Sequence, residues 1–124
     1  MLFRSGEMIA KVTETIRLFR DLPLHVVMTA KQDRIEDENN RLIYVPSAPG
    51  KKLAASMPYL FDLVMALRVV PDEEGNLTRW LQTDADSKFE AKDRSGRLDL
   101  WEAPNLADIK NKILNGTNKP KPKE

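Results

Sequence analysis

The run Leu24-His25-Val26-Val27-Met28-Thr29-Ala30-Lys31-Gln32 restricts the possible folds more than any other stretch of the chain. It is short, apolar and rich in β-branched residues, entered from Asp21-Leu22-Pro23 and left through the charged segment Asp33 to Arg41. A run of this kind predicts a strand buried on both faces, in the middle of a sheet. In open α/β sheets ligands collect at the carboxyl ends of such strands, so Thr29, Lys31 and Gln32 are the first candidates for chemistry. His25, the single histidine, has neither a cysteine nor an obvious serine to work with and is expected as a packed core residue.

The other elements can be set around that strand. Ile9, Val12, Ile16 and Phe19 recur at helical spacing within Glu7 to Arg20, which predicts an amphipathic helix packing one face on a sheet. Gln32 to Pro49 reads as a long polar loop with room for a hairpin. Its four acids, Asp33, Glu36, Asp37 and Glu38, lack the alternation and central glycine of a calcium loop, so they are expected as a solvated face and no metal site is assigned. Lys51 to Met57 predicts a short helix with Leu53, Ala54 and Met57 inward and Pro58 as its stop. Leu63 to Val70 predicts a second buried strand, Pro71 to Asn76 a turn, and Leu77 to Thr83 the returning strand of an antiparallel hairpin. Added to a central strand, that hairpin makes the expected sheet mixed. Asp84 to Arg97 is a second polar stretch in which Asp84 and Asp86 read as solvated acids, and Trp80 and Trp101 are expected in the core or at its margin. Asn105 to Leu114 predicts a last helix ended by Asn115-Gly116.

The 124 residues suit one domain, expected over 1–116, with a disordered Lys/Pro tail over 117–124. Twenty basic and nineteen acidic residues leave a formal charge of +1, which excludes a strong overall field toward nucleic acid or an anionic membrane. With no cysteine, and no apolar run near the roughly 18 residues needed to span a bilayer, the expected location is cytoplasmic and no membrane partner is expected.

The order of these parts resembles the C-terminal half of a RecA-like P-loop ATPase core. They run from a helix through a strand ending in Thr29-Ala30-Lys31-Gln32, a polar loop, Gly50 with a short helix, and Asp62 with a strand and hairpin, to Ala91-Lys92-Asp93-Arg94-Ser95-Gly96. Within that class it looks like the phage nucleotide-binding proteins of the single-strand annealing and recombination type, over Met8 to about Leu114. The resemblance implies an α/β fold with a mixed sheet flanked by helices, ATP and Mg²⁺ as cofactors, and a role in DNA recombination. It also implies residue roles. Thr29 or Gln32 would sense the γ-phosphate. Lys92 and Arg94 would reach the nucleotide site of a neighbouring subunit, with Arg94 as the planar fork that suits an arginine finger. Arg41 and Tyr44 would face single-stranded DNA. Each residue also has a plainer reading: Thr29 as a strand residue, Gln32 as a loop surface group, Lys92 and Arg94 as a solvated turn.

The departures are as informative as the matches. The sequence contains no G-x-x-x-x-G-K-[S/T]; at Gly50-Lys51-Lys52 the position five before the glycine is Val45 and Lys52 stands where a hydroxyl is needed. The chain is therefore expected not to hydrolyse ATP by itself. It is expected to act as a homo-oligomer or with an N-terminal half supplied separately. The alternative is a nucleotide-independent scaffolding module that oligomerises through an exposed sheet edge. Gln32 to Arg41 carries more acids than bases, which opposes the cationic groove that single-stranded DNA prefers.

Overall fold

The structure is a computed structural model that describes residues 4–120. The chain divides into two compact units with their boundary between Phe61 and Asp62.

The first unit opens with α1 (Arg4–Arg20), which carries Glu7 in its first turn and Arg17 and Arg20 in its last, the charge order that suits a helix dipole. Ile9 and Val12 are half-buried and Ile16 buried, as their spacing predicts, but Phe19 is exposed. The helix packs on the 3₁₀ turn Met57–Leu60 rather than on a sheet. After α1 comes the main correction to the sequence reading. Residues 24–30 form no strand. All but the half-buried Val26 are exposed, with Leu24 at 71% and Val27 at 63%. None of them takes part in a backbone hydrogen bond among the described residues. A central strand needs a neighbour on each side to satisfy its N–H and C=O groups, and no described strand flanks this run. His25 is accordingly exposed and not a core residue.

Regular pairing starts one residue before the charged segment. Strands β1 (Gln32–Glu36) and β2 (Leu42–Pro46) form an antiparallel hairpin in which Arg34 faces Tyr44 and Ile35 faces Ile43. The Asp37 carboxylate closes the turn by accepting the N–H groups of Asn39 and Arg41, and Asn40 takes a left-handed φ of 62°. Helix α2 (Lys51–Ser56) follows and runs into the 3₁₀ turn, where Pro58 ends the α-helix but continues the coil. Val45, Leu53, Ala54 and Met57 are buried with Ile16.

The second unit is built on short antiparallel ladders. The predicted strand over Leu63 to Val70 is broken at Met65 into β3 (Leu63–Val64) and β4 (Ala66–Pro71). Strand β4 pairs with β5 (Leu77–Gln82), and β5 with β7 (Trp101–Glu102), giving a three-stranded sheet in the order β4-β5-β7. Strand β3 pairs instead with β6 (Lys92–Asp93). The β4–β5 turn repeats the first hairpin's design: Asp72 accepts from Glu74 and Asn76, and Gly75 supplies a φ of 84°. All described pairings are antiparallel, so the expected mixed sheet is replaced by small antiparallel sheets. Strand β4 is exposed at Leu67, Val69 and Val70, not buried as its apolar run suggests.

Helix α3 (Leu106–Asn115) is capped by Asn105, whose side chain accepts the Asp108 N–H. It buries Ile109 alongside Val64, Ala66, Phe89, Ala91 and Leu98 in the second unit's core. Gly116 donates its N–H to Lys112, so close that a Cβ there would run into the Lys112 carbonyl oxygen. Of the expected tail, 121–124 lie outside the described residues. Residues 117–120 have no helix or strand, and the Lys119 N–H donates to the Gly96 carbonyl.

Candidate functional site

The sequence-derived candidates fall into two groups, one in each unit. In the first unit Thr29 is an exposed residue of the unpaired run, and Gln32 opens β1 opposite Pro46. Between them the Lys31 carbonyl accepts the Ser47 N–H, which pins the base of the hairpin just where the unpaired run ends. Arg41 and Tyr44 are not brought together. Arg41 lies 3.3 Å from Asp37 across the turn, and the Asp37 carboxyl is held below its usual value, chiefly by the Arg41 backbone N–H, with the Arg41 charge adding to it. Tyr44 instead meets Arg34, whose guanidinium carbon is 5.9 Å from the ring centre. Gln32, Arg34 and Glu36 share one hairpin face with Leu42, Tyr44 and Pro46. Arg34 is thus the cation beside the aromatic, and sequence reasoning missed it. Placing the turn at Asp37 to Arg41 sets the register that would have found it.

In the second unit Lys92 lies in β6 opposite Val64, and the ladder continues as the Arg94 N–H donates to the Asp62 carbonyl. Arg94 Nη1 also donates to Asp62 Oδ1 at 2.7 Å. Lys92 lies in β6 and Arg94 opens the turn just after it, near enough that the Arg94 charge acts on Lys92. Burial pushes the Lys92 ammonium below its usual value, and the Arg94 charge pushes it the same way. The turn that follows is built by Asp93. One carboxylate oxygen accepts the Ser95 N–H and hydroxyl and the other the Leu98 N–H, while Gly96 supplies a φ of 68°. Arg94 is held on a strand end and a rigid turn, as a positioned cation requires, and is still exposed.

A third cluster has no sequence-predicted role. Arg68 stacks on Phe89, its guanidinium carbon 3.8 Å from the ring centre, and donates to Gln82 Oε1 at 2.6 Å. Gln82, only 1% exposed, passes its own N–H to the Asp84 carbonyl. Asp86 is pushed up by burial, but the N–H groups of Lys88 and Phe89 outweigh this and leave it below its usual value. These contacts make Asp84 to Phe89 an ordered loop. Trp80 and Trp101, expected in the core or at its margin, are exposed, and the Arg68 guanidinium carbon lies 5.5 Å from the Trp101 ring centre.

The residues present do not make an ATP–Mg²⁺ site on their own. The lysine and hydroxyl that grip phosphate and metal in a P-loop are absent from the sequence. Among the described residues no cluster of three or more carboxylate or imidazole groups could hold a metal ion, and no helix is long and apolar enough to cross a membrane.

No curated protein and no solved structure matches the chain. The family model for the AAA domain matches residues 6–95, from the start of α1 through the Lys92–Arg94 turn. That match covers well over half of the sequence, and the chain belongs to the AAA domain family of P-loop-type ATPases.

Proposed function

We propose that the chain contributes the sensor and trans-acting part of a nucleotide site whose phosphate-binding loop lies outside these 124 residues. The observation that carries this reading is the unpaired run 24–30, which has the composition of a central strand but no strand beside it among the described residues. Strands supplied from elsewhere would cover it and set Thr29 and Gln32 at a sheet's carboxyl edge, where a γ-phosphate sensor belongs. Arg94, exposed and presenting a planar fork, suits a trans-acting cation, with Lys92 beside it. The finer assignment, a RecA-like protein of phage recombination or single-strand annealing, rests on the sequence resemblance. The Arg34–Tyr44 face of the hairpin supports it as a surface for single-stranded DNA, since an aromatic and a guanidinium both stack on bases.

The test is ATP turnover by the purified chain alone, then with single-stranded DNA and the polypeptide encoded immediately upstream. Turnover that appears only with the partner and collapses on Arg94→Ala supports the reading; no turnover in any mixture overturns it. A second reading, a nucleotide-independent scaffold, is favoured by strand β4, an edge strand with exposed Leu67 and Val69. It predicts concentration-dependent self-association that ATP does not change.

A further inference from the structure

The geometry points to Asp62 as the resting counter-ion and positioning residue of the Lys92–Arg94 pair, a holding group that an incoming polyanionic phosphate displaces. Asp62 and Arg94 stand one position beyond the β3–β6 ladder, which pairs Leu63 with Asp93, and the Arg94 N–H donates to the Asp62 carbonyl at 3.0 Å. Their side chains consequently leave the ladder on the same side, where Arg94 Nη1 sits 2.7 Å from Asp62 Oδ1. Lys92 feels the charges of both Arg94 and Asp62, so two cations and one carboxylate act on one another within a small region. Two like charges two residues apart in the chain repel each other. A carboxylate set across from them offsets that repulsion and fixes the direction of the guanidinium fork.

The exposure of the pair decides what this contact can do. The Arg94 side chain is 61% exposed and that of Asp62 79%. An ion pair so open to water is weak and readily exchanged, so it orients Arg94 without trapping it. A phosphate chain brings more negative charge than one carboxylate and accepts both N–H groups of the fork. Exchange from Asp62 to phosphate then needs only a side-chain rotation, because Asp93 holds the backbone of the turn independently through Ser95 and Leu98. The charged groups acting on Lys92 are Arg94, Asp62 and Glu90, and Asp62 and Glu90 are the two that favour its charged form.

This inference rests on the proposed nucleotide role for its biological use, but the counter-ion itself is testable on the chain alone. The experiment follows the Lys92 side-chain titration by NMR in the unmodified chain, Asp62→Asn, Asp62→Glu and Arg94→Gln, and measures binding of inorganic tripolyphosphate to each. Asp62→Asn is expected to lower the Lys92 titration midpoint further, Arg94→Gln to raise it, and Asp62→Glu to restore it toward the unmodified value. Tripolyphosphate is expected to bind Asp62→Asn about two- to fivefold more tightly, the factor that a weak surface ion pair can withhold. A Lys92 midpoint that ignores Asp62→Asn, or tripolyphosphate affinity that is equal or weaker in that variant, overturns the assignment. Failure of the turnover experiment with these titrations intact would sink the nucleotide reading and leave Asp62 as the counter-ion.

Discussion

At the scale of single residues, Arg68 and Asp93 organise more structure than their sequence context suggests. Arg68→Ala removes the stack on Phe89 and leaves Gln82 Oε1 buried without its donor. The expected cost is about 2–4 kcal/mol, read as a drop in urea midpoint at constant slope. Arg68→Lys keeps the charge but loses the planar stack, and an intermediate loss is expected. Asp93→Ala removes the acceptor of three hydrogen bonds in the turn, so amide exchange at Ser95 and Leu98 is expected to accelerate while the β4–β5 hairpin keeps its protection. Asp99 and Lys112 give a pH signature. The ammonium of Lys112, with that of Lys119, holds the Asp99 carboxyl below its usual value. Glu102 above all, and Asp99 with it, raise Lys112. A lowered carboxyl lends stability above its unfolded value near 3.8 that disappears as pH falls through the folded value. A raised ammonium lends stability below 10.5 that disappears as pH climbs through the folded value. Lys112→Met is therefore expected to flatten both the acid and the alkaline limbs of a stability profile measured by thermal denaturation.

At the scale of elements, the sequence was most readable where a local signal sufficed. The helix over residues 7–20, the short helix from Lys51, the turn at Pro71 to Asn76 and the helix capped by Asn105 are all present because caps, prolines and turn carboxylates act within a few residues. The two hairpin turns share one recipe, an aspartate that accepts two backbone N–H groups and a left-handed residue at the fourth position. Only the version with glycine is an obvious sequence signal; Asn40 hides the other. Asn40→Gly is expected to leave the first hairpin equally stable or slightly tighter, whereas Asn40→Val, β-branched at φ 62°, is expected to fray it, as seen in amide exchange at Asp37 and Arg41. What was not readable depended on partners distant in sequence. Leu24 to Ala30 has the composition of a buried strand, but burial needs neighbours and composition cannot provide them. For the same reason Arg34 went unnoticed as the cation beside Tyr44, and Asp62 as the group facing Arg94: each is visible only once a register is fixed.

At the scale of the whole molecule, the family match runs across the boundary between the two units and ends in the Lys92–Arg94 turn, so the candidate residues of both units lie inside it. The exposed run yields a direct check. Val27→Asp in a central strand would cost several kcal/mol, but at 63% exposure it is expected to change the stability of the isolated chain by less than about 0.5 kcal/mol. The same substitution is expected to abolish any activity that depends on covering the run, and the contrast between the two measurements separates a docking role from a folding role. Chymotrypsin is expected to cut first after Leu24 or Met28, inside a segment with no backbone hydrogen bonds among the described residues to slow its entry. The apolar character of that segment also sets how its occupancy responds to heat. Side chains such as Leu24, Val27 and Met28 leave water with little enthalpy change near room temperature and a negative heat-capacity change. Whatever covers them should therefore be held more firmly on warming and released on cooling, and a complex stored on ice would be the one most inclined to fall apart.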